Sequence, residues 1–121
     1  MPTRGIRGAT TVPADTKDDV LKATKELLDS ILRANPGLIP DEIGSAIFTT
    51  TADVTSAYPA LAARQIGWDA VPMLCAREIP VPGSLDMCIR VLIHWNTEKS
   101  QKEINHIYLR GAKILRPDLV D

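Results

Sequence analysis

Aromatic side chains are scarce in this sequence. They make up 4% of its 121 residues, and the rings belong to Phe48, Tyr58, Trp68, Trp95 and Tyr108. The core must therefore be built mainly from aliphatic side chains, which are plentiful, since 45% of the residues are hydrophobic. A domain of this length buries about two thirds of its unfolded surface, but it has little room for a large enclosed pocket. If the protein binds a small molecule, a cleft between subunits is the first place to expect it.

Cysteine and histidine are also rare, with two of each: Cys75, Cys88, His94 and His106. Neither cysteine belongs to a CxxC pair, so the short ligand spacings of a structural zinc site are missing. Both histidines are interpreted as structural. The first residues contain arginine and no apolar signal segment, and no apolar run approaches the roughly 20 residues of a membrane span. The sequence therefore predicts a reduced, cytoplasmic protein without a metal site.

Neither sign of charge is in excess, because 14 Lys and Arg residues face 15 Asp and Glu residues. A general nucleic-acid binder needs a basic surface that displaces counterions, and a membrane-surface protein needs a polybasic segment, so both classes are disfavoured. Eight of the cations are arginine, whose planar fork matches carboxylate and phosphate groups. The charge pattern favours local recognition of a small anion.

Hydrophobic periodicity predicts one α+β domain over residues 1–121. Gly5 and Gly8 in the first strand indicate a point where another group, such as a ligand or a second chain, approaches the backbone closely. The predicted elements are, in chain order, strand Thr3–Val12, helix Lys17–Ala34, a helical turn at Pro40–Glu42, strand Ser45–Thr51, helix Thr55–Ile66, apolar strand Ala70–Ala76, strand Met87–Trp95, a turn at Gln101–Asn105, strand His106–Leu109 and a turn at Gly111–Leu115.

The strand predicted over Met87–Trp95 carries the most informative charge. Strand alternation places Cys88, Arg90 and His94 on one face, opposite an apolar face. A charge in mid-strand must reach solvent, pair with an acid or meet an anionic ligand, so Arg90 is either a structural ion-pair partner or an anion-binding group. Glu78, at the end of another strand, is either a solvated surface residue or a group within reach of a partner or of a substrate hydroxyl.

The other candidates have plain structural alternatives. Arg7, Arg64 and Arg116 are either solvated or part of an anion site, and Tyr108 is either a core or a binding residue. Cys75, without a histidine nearby to activate it, is interpreted as a buried apolar residue rather than a nucleophile. The sequence shows no catalytic triad, phosphate-binding loop or dinucleotide fingerprint. These residues suit a small polyanion, but they do not separate a binding module from an enzyme that works by electrostatics.

Six short motifs occur in the order and spacing of a known family. They are Arg4-Gly5-Ile6-Arg7-Gly8-Ala9-Thr10-Thr11, Tyr58-Pro59-Ala60 with Arg64, Cys75 with Glu78, Cys88-Ile89-Arg90-Val91, His106-Ile107-Tyr108-Leu109 and Leu115-Arg116-Pro117-Asp118-Leu119. Each motif alone is weak. Together they closely resemble the monofunctional, AroH-type chorismate mutases over essentially the whole chain.

The resemblance implies a mixed β-sheet with helices packed outside, assembled as a homotrimeric pseudo-α/β barrel with active sites at the subunit interfaces. It implies the Claisen rearrangement of chorismate to prephenate, a step of aromatic amino acid biosynthesis in the shikimate pathway. Neither a cofactor nor a metal is expected, and neither nucleic acid nor a membrane is an expected partner. The alternatives are a non-catalytic trimeric module that binds an anionic metabolite or a protein, and an enzyme of the trimeric imine-deaminase type, which lacks motif support.

The resemblance also implies roles for individual residues. Arg90 reaches the ether oxygen, Arg7 and Tyr108 hold the carboxylates, and Glu78 with Cys75 orients the ring hydroxyl. The remaining residues form the pocket walls and mouth: Tyr58, Ala60, Arg64, Met73, Leu74, Leu115 and Arg116. Leu61 departs from the family pattern, because some members have a cation at that position.

Overall fold

The computed structural model describes residues 1–115, which form a five-stranded mixed sheet and two α-helices. The strands are β1 (Thr3–Thr11), β2 (Ile43–Thr50), β3 (Met73–Arg77), β4 (Cys88–Asn96) and β5 (Ile107–Tyr108), and the helices are α1 (Lys17–Ala34) and α2 (Pro59–Gln65). Short 3-10 turns occupy Pro40–Glu42, Gln101–Glu103 and Arg110–Ile114. Neither α-helix of this region combines the length and hydropathy that crossing a membrane requires.

The sheet is centred on β4, in the order β3-β2-β4-β1-β5. Strand β4 runs antiparallel to both β1 and β2, whereas the outer pairs β2–β3 and β1–β5 are parallel. The sheet mixes parallel and antiparallel pairs, and each α-helix lies between two strands in the order of the chain. This arrangement confirms the expected α+β class.

Helix α1 has the bounds that its sequence predicts. The side chain of Thr16 caps it by accepting a hydrogen bond of 3.1 Å from the amide of Asp19. At the other end Asn35 is buried, and its side chain bonds both the amide and the carbonyl of Asn105 at 2.9 Å. The end of α1 is thereby fastened to the segment that leads into β5.

Helix α2 begins later than predicted, at Pro59 instead of Thr55. The amides of Thr55 and Ser56 each donate to the carboxylate of Asp15 at 3.0 Å, which holds this segment as a loop. Hydrogen bonds from the side chain of Ser56, and from the amides of both residues, lower the pKa of Asp15. Proline at the first helical position then sets the start of the helix. The loop before α2 is thus tied to the loop before α1.

The apolar strand predicted over Ala70–Ala76 is the exposed edge strand β3. The amide of Val71 donates to the carbonyl of Trp68 at 3.2 Å and closes a turn over residues 68–71. Because this turn precedes the strand, β3 begins only at Met73. Leu74 keeps 69% of its surface exposed, and Ile79 just beyond the strand keeps 79%. An edge strand with exposed apolar side chains presents a surface for another chain.

The main core lies between the helices and one face of the sheet. From the sheet it takes alternate residues such as Ile6, Phe48 and Ile93, each with no exposed surface. Helix α1 contributes Leu27 and Ile31, which are equally buried. Because strand residues alternate, the intervening side chains of β1, β2 and β4 lie on the opposite face.

The close approach predicted for the glycines of β1 is made by α1 at Gly8. A Cβ atom on Gly8 would lie 2.7 Å from Ile31 Cδ1 and 3.2 Å from Leu27 Cδ1, whereas one on Gly5 would have only an ordinary contact of 3.6 Å with Leu92. We expect Gly8→Ala to lower the free energy of unfolding by about 1–3 kcal/mol through overpacking. For the matched variant Gly5→Ala, the free energy of unfolding measured in urea should stay within about 0.5 kcal/mol of the parental value. Equal effects would contradict this packing explanation.

Candidate active site

Cross-strand pairing places four residues in one row on the sheet face away from the main core. Thr49 of β2 pairs with Arg90 of β4, Arg90 pairs with Ala9 of β1, and Ala9 pairs with Tyr108 of β5. Ala9 has the smallest side chain of the four, and it stands between Arg90 and Tyr108 in the row. The row therefore has open volume above its centre.

A cavity of about 330 Å³ lies over this row. Its lining includes five of the residues predicted for the site: Arg7, Glu78, Arg90, Tyr108 and Leu115. They come from β1, the segment after β3, β4, β5 and the last described turn. The fold thus brings together the two arginines, the tyrosine and the glutamate that the sequence singled out.

Arg90 has a free hydrogen-bond donor in this cavity. Its Nε atom lies 3.8 Å from Glu78 Oε2, which is too long for a hydrogen bond. Nε is buried and has no hydrogen-bond partner among residues 1–115. A buried, unsatisfied donor on a charged group costs free energy, so it indicates a site for an acceptor from a ligand.

Glu78 is held in place by β2. The hydroxyl of Thr49 donates a hydrogen bond to Glu78 Oε2, and the backbone amide of Glu78 donates to the carbonyl of Thr50 at 2.9 Å. Thr49 also lines the cavity. The sequence analysis missed Thr49, because its position next to Arg90 depends on strand register and has no local signal.

Below the cavity lies a small apolar cluster built around Cys88. It joins Ala9, Cys88, Tyr108 and Ala112, with Leu115 packed against it. Burial raises the pKa of the Cys88 thiol, while the nearby Arg90 guanidinium opposes that shift. Cys88 is therefore a neutral packing residue under Arg90 and not a nucleophile.

Both histidines contact neighbouring strands. His94 Nδ1 lies 2.9 Å from the hydroxyl of Ser45 on β2, and His106 Nδ1 accepts a hydrogen bond of 2.9 Å from the backbone amide of Arg7. His106 thereby fixes the backbone that presents the Arg7 side chain.

Tyr58 and Cys75 line a different groove, of about 550 Å³, which contains neither Arg7 nor Arg90. Cys75 is exposed there, so the expectation of a buried thiol was wrong, since β3 is an edge strand. Tyr58 keeps 74% of its surface exposed. Within one chain the structure thus separates Cys75 from Glu78 and the arginines of the cavity.

The remaining predicted residues line neither the cavity nor this groove, or lie outside the described residues. Arg64 and Leu74 are exposed on α2 and β3, whereas Ala60 and Met73 pack against the main core. Arg116 lies outside the described residues.

Leu61 lines the same groove, at the position where some family members have a cation. Lys17 and Arg77 also line it, and no carboxylate of the described residues does. The groove is therefore cationic despite Leu61. Residues 1–115 place no three His, Cys, Asp or Glu side chains together in a way that could hold a metal ion.

Comparisons with known proteins identify the family of the chain. The family model for chorismate mutase type I matches residues 3–119. The chain is 56% identical to chorismate mutase AroH of Thermus thermophilus over 96% of this chain and 95% of the relative, and 42% identical to chorismate mutase AroH of Bacillus subtilis over 98% and 94%. A solved chorismate mutase from Clostridium thermocellum superposes with a TM-score of 0.88 at 50% identity, covering 91% of this chain and 97% of that one. The chain belongs to the chorismate mutase type I family.

Proposed function

We propose that this protein converts chorismate to prephenate by a Claisen rearrangement within the shikimate pathway. The observation that carries the proposal is the buried Nε of Arg90, which has no hydrogen-bond partner among residues 1–115. The residue Arg90 lines the same cavity as Arg7 and Tyr108. Chorismate is a dianion with an ether oxygen, so it offers carboxylates for the cationic side chains of the cavity and an acceptor for Arg90 Nε.

The reaction requires no proton transfer. One C–O bond breaks and one C–C bond forms in a single cyclic shift of electrons, and the product is an isomer of the substrate. Negative charge develops on the ether oxygen in the transition state. The proposed role of Arg90 is to donate from Nε to that oxygen, where a preorganised donor is more effective than mobile water.

The other cavity residues hold the substrate in a compact, chair-like conformer. In this proposal Arg7 and Tyr108 bind the two carboxylates, while Glu78 accepts the hydrogen bond of the ring hydroxyl. Leu115 closes the apolar side. Positioning of this kind converts a rare substrate conformer into the bound one and removes much of the entropic barrier.

The magnitudes are compatible with this division of roles. An acceleration of about 10⁶ corresponds to a barrier lowered by 8 kcal/mol. One preorganised donor at a developing oxyanion supplies about 3–4 kcal/mol, and positioning has to supply the rest. No nucleophile, metal or organic cofactor enters the scheme.

We further propose that a second copy of the chain completes the site. The cavity with Arg90 and the groove with Tyr58 and Cys75 are separate within one chain, and the apolar edge at β3 is exposed. A homotrimer would cover this edge and bring the groove of one subunit to the cavity of the next, in a heterologous ring. Tyr58, Ala60, Met73, Leu74 and Cys75 would then form the walls, and Arg64 and Arg116 the mouth. The proposed location is the cytoplasm, where both thiols stay reduced.

Ligand affinities separate this enzyme from a non-catalytic trimeric module. An enzyme complementary to the transition state should bind a chair-like transition-state mimic about 10²-fold or more tighter than chorismate. Titration calorimetry gives both dissociation constants, provided that the chorismate titration is completed before much of the substrate has been converted. Sedimentation gives the oligomeric state. Equal affinities would favour the module and overturn the proposed activity.

A further inference from the structure

We propose that Thr49 is a positioning residue that holds the Glu78 carboxylate away from Arg90 and so keeps the Arg90 Nε donor available. The inference rests on the proposed function for its catalytic consequence. Its structural part, the restraint on Glu78, stands independently.

Two donor groups lie near one oxygen atom, Oε2 of Glu78. Thr49 Oγ1 donates a hydrogen bond to Glu78 Oε2, and the same Oε2 lies 3.8 Å from Arg90 Nε. Arginine and carboxylate groups that are free to approach form hydrogen bonds of about 2.7–2.9 Å. The observed gap is roughly 1 Å longer than that contact. The hydroxyl of Thr49 therefore anchors the oxygen that would otherwise close on the arginine.

The positions of Thr49 and of the Glu78 backbone are both fixed by strand β2. Thr49 lies within β2, where its Cα atom pairs with that of Arg90, and its β-branched side chain has few rotamers. The backbone of Glu78 is fixed on the same strand by its amide bond to the Thr50 carbonyl. With the backbone of Glu78 and the hydroxyl of Thr49 both fixed, the carboxylate has one well-defined place in the cavity.

Loss of the Thr49 hydroxyl would allow the Glu78 carboxylate to contact Arg90 directly. Glu78 is 27% exposed and Arg90 40% exposed, so a direct contact between them would be only partly screened by water. A closed Arg90–Glu78 hydrogen bond would satisfy Nε within the protein. Arg90 Nε would then have to break its hydrogen bond to the Glu78 carboxylate before it could donate to the ether oxygen. The ring hydroxyl of the substrate would also lose Glu78 as its acceptor.

The test compares two substitutions at the same position. Thr49→Val removes the hydroxyl and keeps the shape, whereas Thr49→Ser keeps the hydroxyl. We expect Thr49→Val to lower kcat by about 10- to 100-fold, the range for a lost hydrogen bond to a charged group, with a smaller change in KM. Thr49→Ser should retain kcat within about threefold of the parent. Thr3→Val is the matched control, because its hydroxyl donates at 2.7 Å to Asn96 far from the cavity.

Two further measurements separate positioning from a merely structural role. If Thr49 acts through Glu78, then Thr49→Val made in a Glu78→Gln background should cost almost nothing more. In a protein labelled with ¹⁵N-arginine and studied without substrate, the Arg90 Nε–H should exchange with water more slowly in Thr49→Val than in the parent.

The outcomes are distinct. Equal losses from Thr49→Val in both backgrounds, an unchanged kcat, or an unchanged Nε–H exchange rate would each overturn the inference. A faster exchange rate would overturn it as well. If the parent protein fails to convert chorismate, the proposed function fails, but the exchange measurement still decides whether Thr49 restrains Glu78.

Discussion

Replacing Arg90 with lysine is expected to lower kcat by about 10²–10³, the cost of removing one preorganised donor at a developing oxyanion. Lysine keeps the positive charge, but its ammonium group cannot reproduce the planar fork that places Nε in the cavity. Steady-state kinetics on chorismate measure the effect. KM should change less than kcat, because the lost interaction is strongest in the transition state.

The matched control for this variant is Arg33→Lys. Arg33 lies on the exposed side of α1, and its side chain pairs with Asp29 at 3.1 Å. It should have parental kinetics and about the parental stability, since a surface ion pair is worth at most about 1 kcal/mol. Near-parental turnover of Arg90→Lys, with its folding confirmed by circular dichroism, would contradict the role assigned to Nε.

Mixing two inactive variants is expected to restore activity. Arg90→Ala removes the cavity donor, and Cys75→Asp places a negative charge in the groove that would face the dianion. Each variant alone should be nearly inactive. If a site combines the cavity of one subunit with the groove of its neighbour, random subunit exchange gives about one quarter of sites with both halves intact. The recovered turnover should approach that fraction of the parental value.

A second mixture provides the control. Arg7 and Arg90 line the same cavity, so Arg7→Ala mixed with Arg90→Ala cannot produce an intact cavity in any subunit. That mixture should stay inactive. Subunit exchange is verified in both mixtures by mass spectrometry of subunits that differ in mass. If exchange is complete and the first mixture also stays inactive, the site does not draw on two subunits.

Local signals in the sequence predicted a large part of the fold. Hydrophobic periodicity predicted a helix over Lys17–Ala34, and α1 has those bounds in the structure. Strand alternation correctly placed Arg90 opposite the core face of β4, where Val91 and Ile93 are buried. These features depend on residues close together in the chain, so composition and periodicity suffice.

Features that depend on distant residues could not be predicted in the same way. Thr49 lies next to Arg90 only because of the register between β2 and β4, and the start of α2 depends on hydrogen bonds to Asp15 from a different loop. The exposure of Cys75 depends on β3 being an edge strand, which is a property of the whole sheet. The sequence motifs supplied the candidate side chains, while their division between a cavity and a groove required the fold.

The most direct test of the central claim is the conversion of chorismate by the purified protein, followed as the loss of chorismate absorbance with a chelator present and prephenate identified as the product. The account predicts an acceleration of about 10⁶ over buffer, unchanged by the chelator. A rate equal to that of buffer, from protein that is folded and assembled, would contradict it.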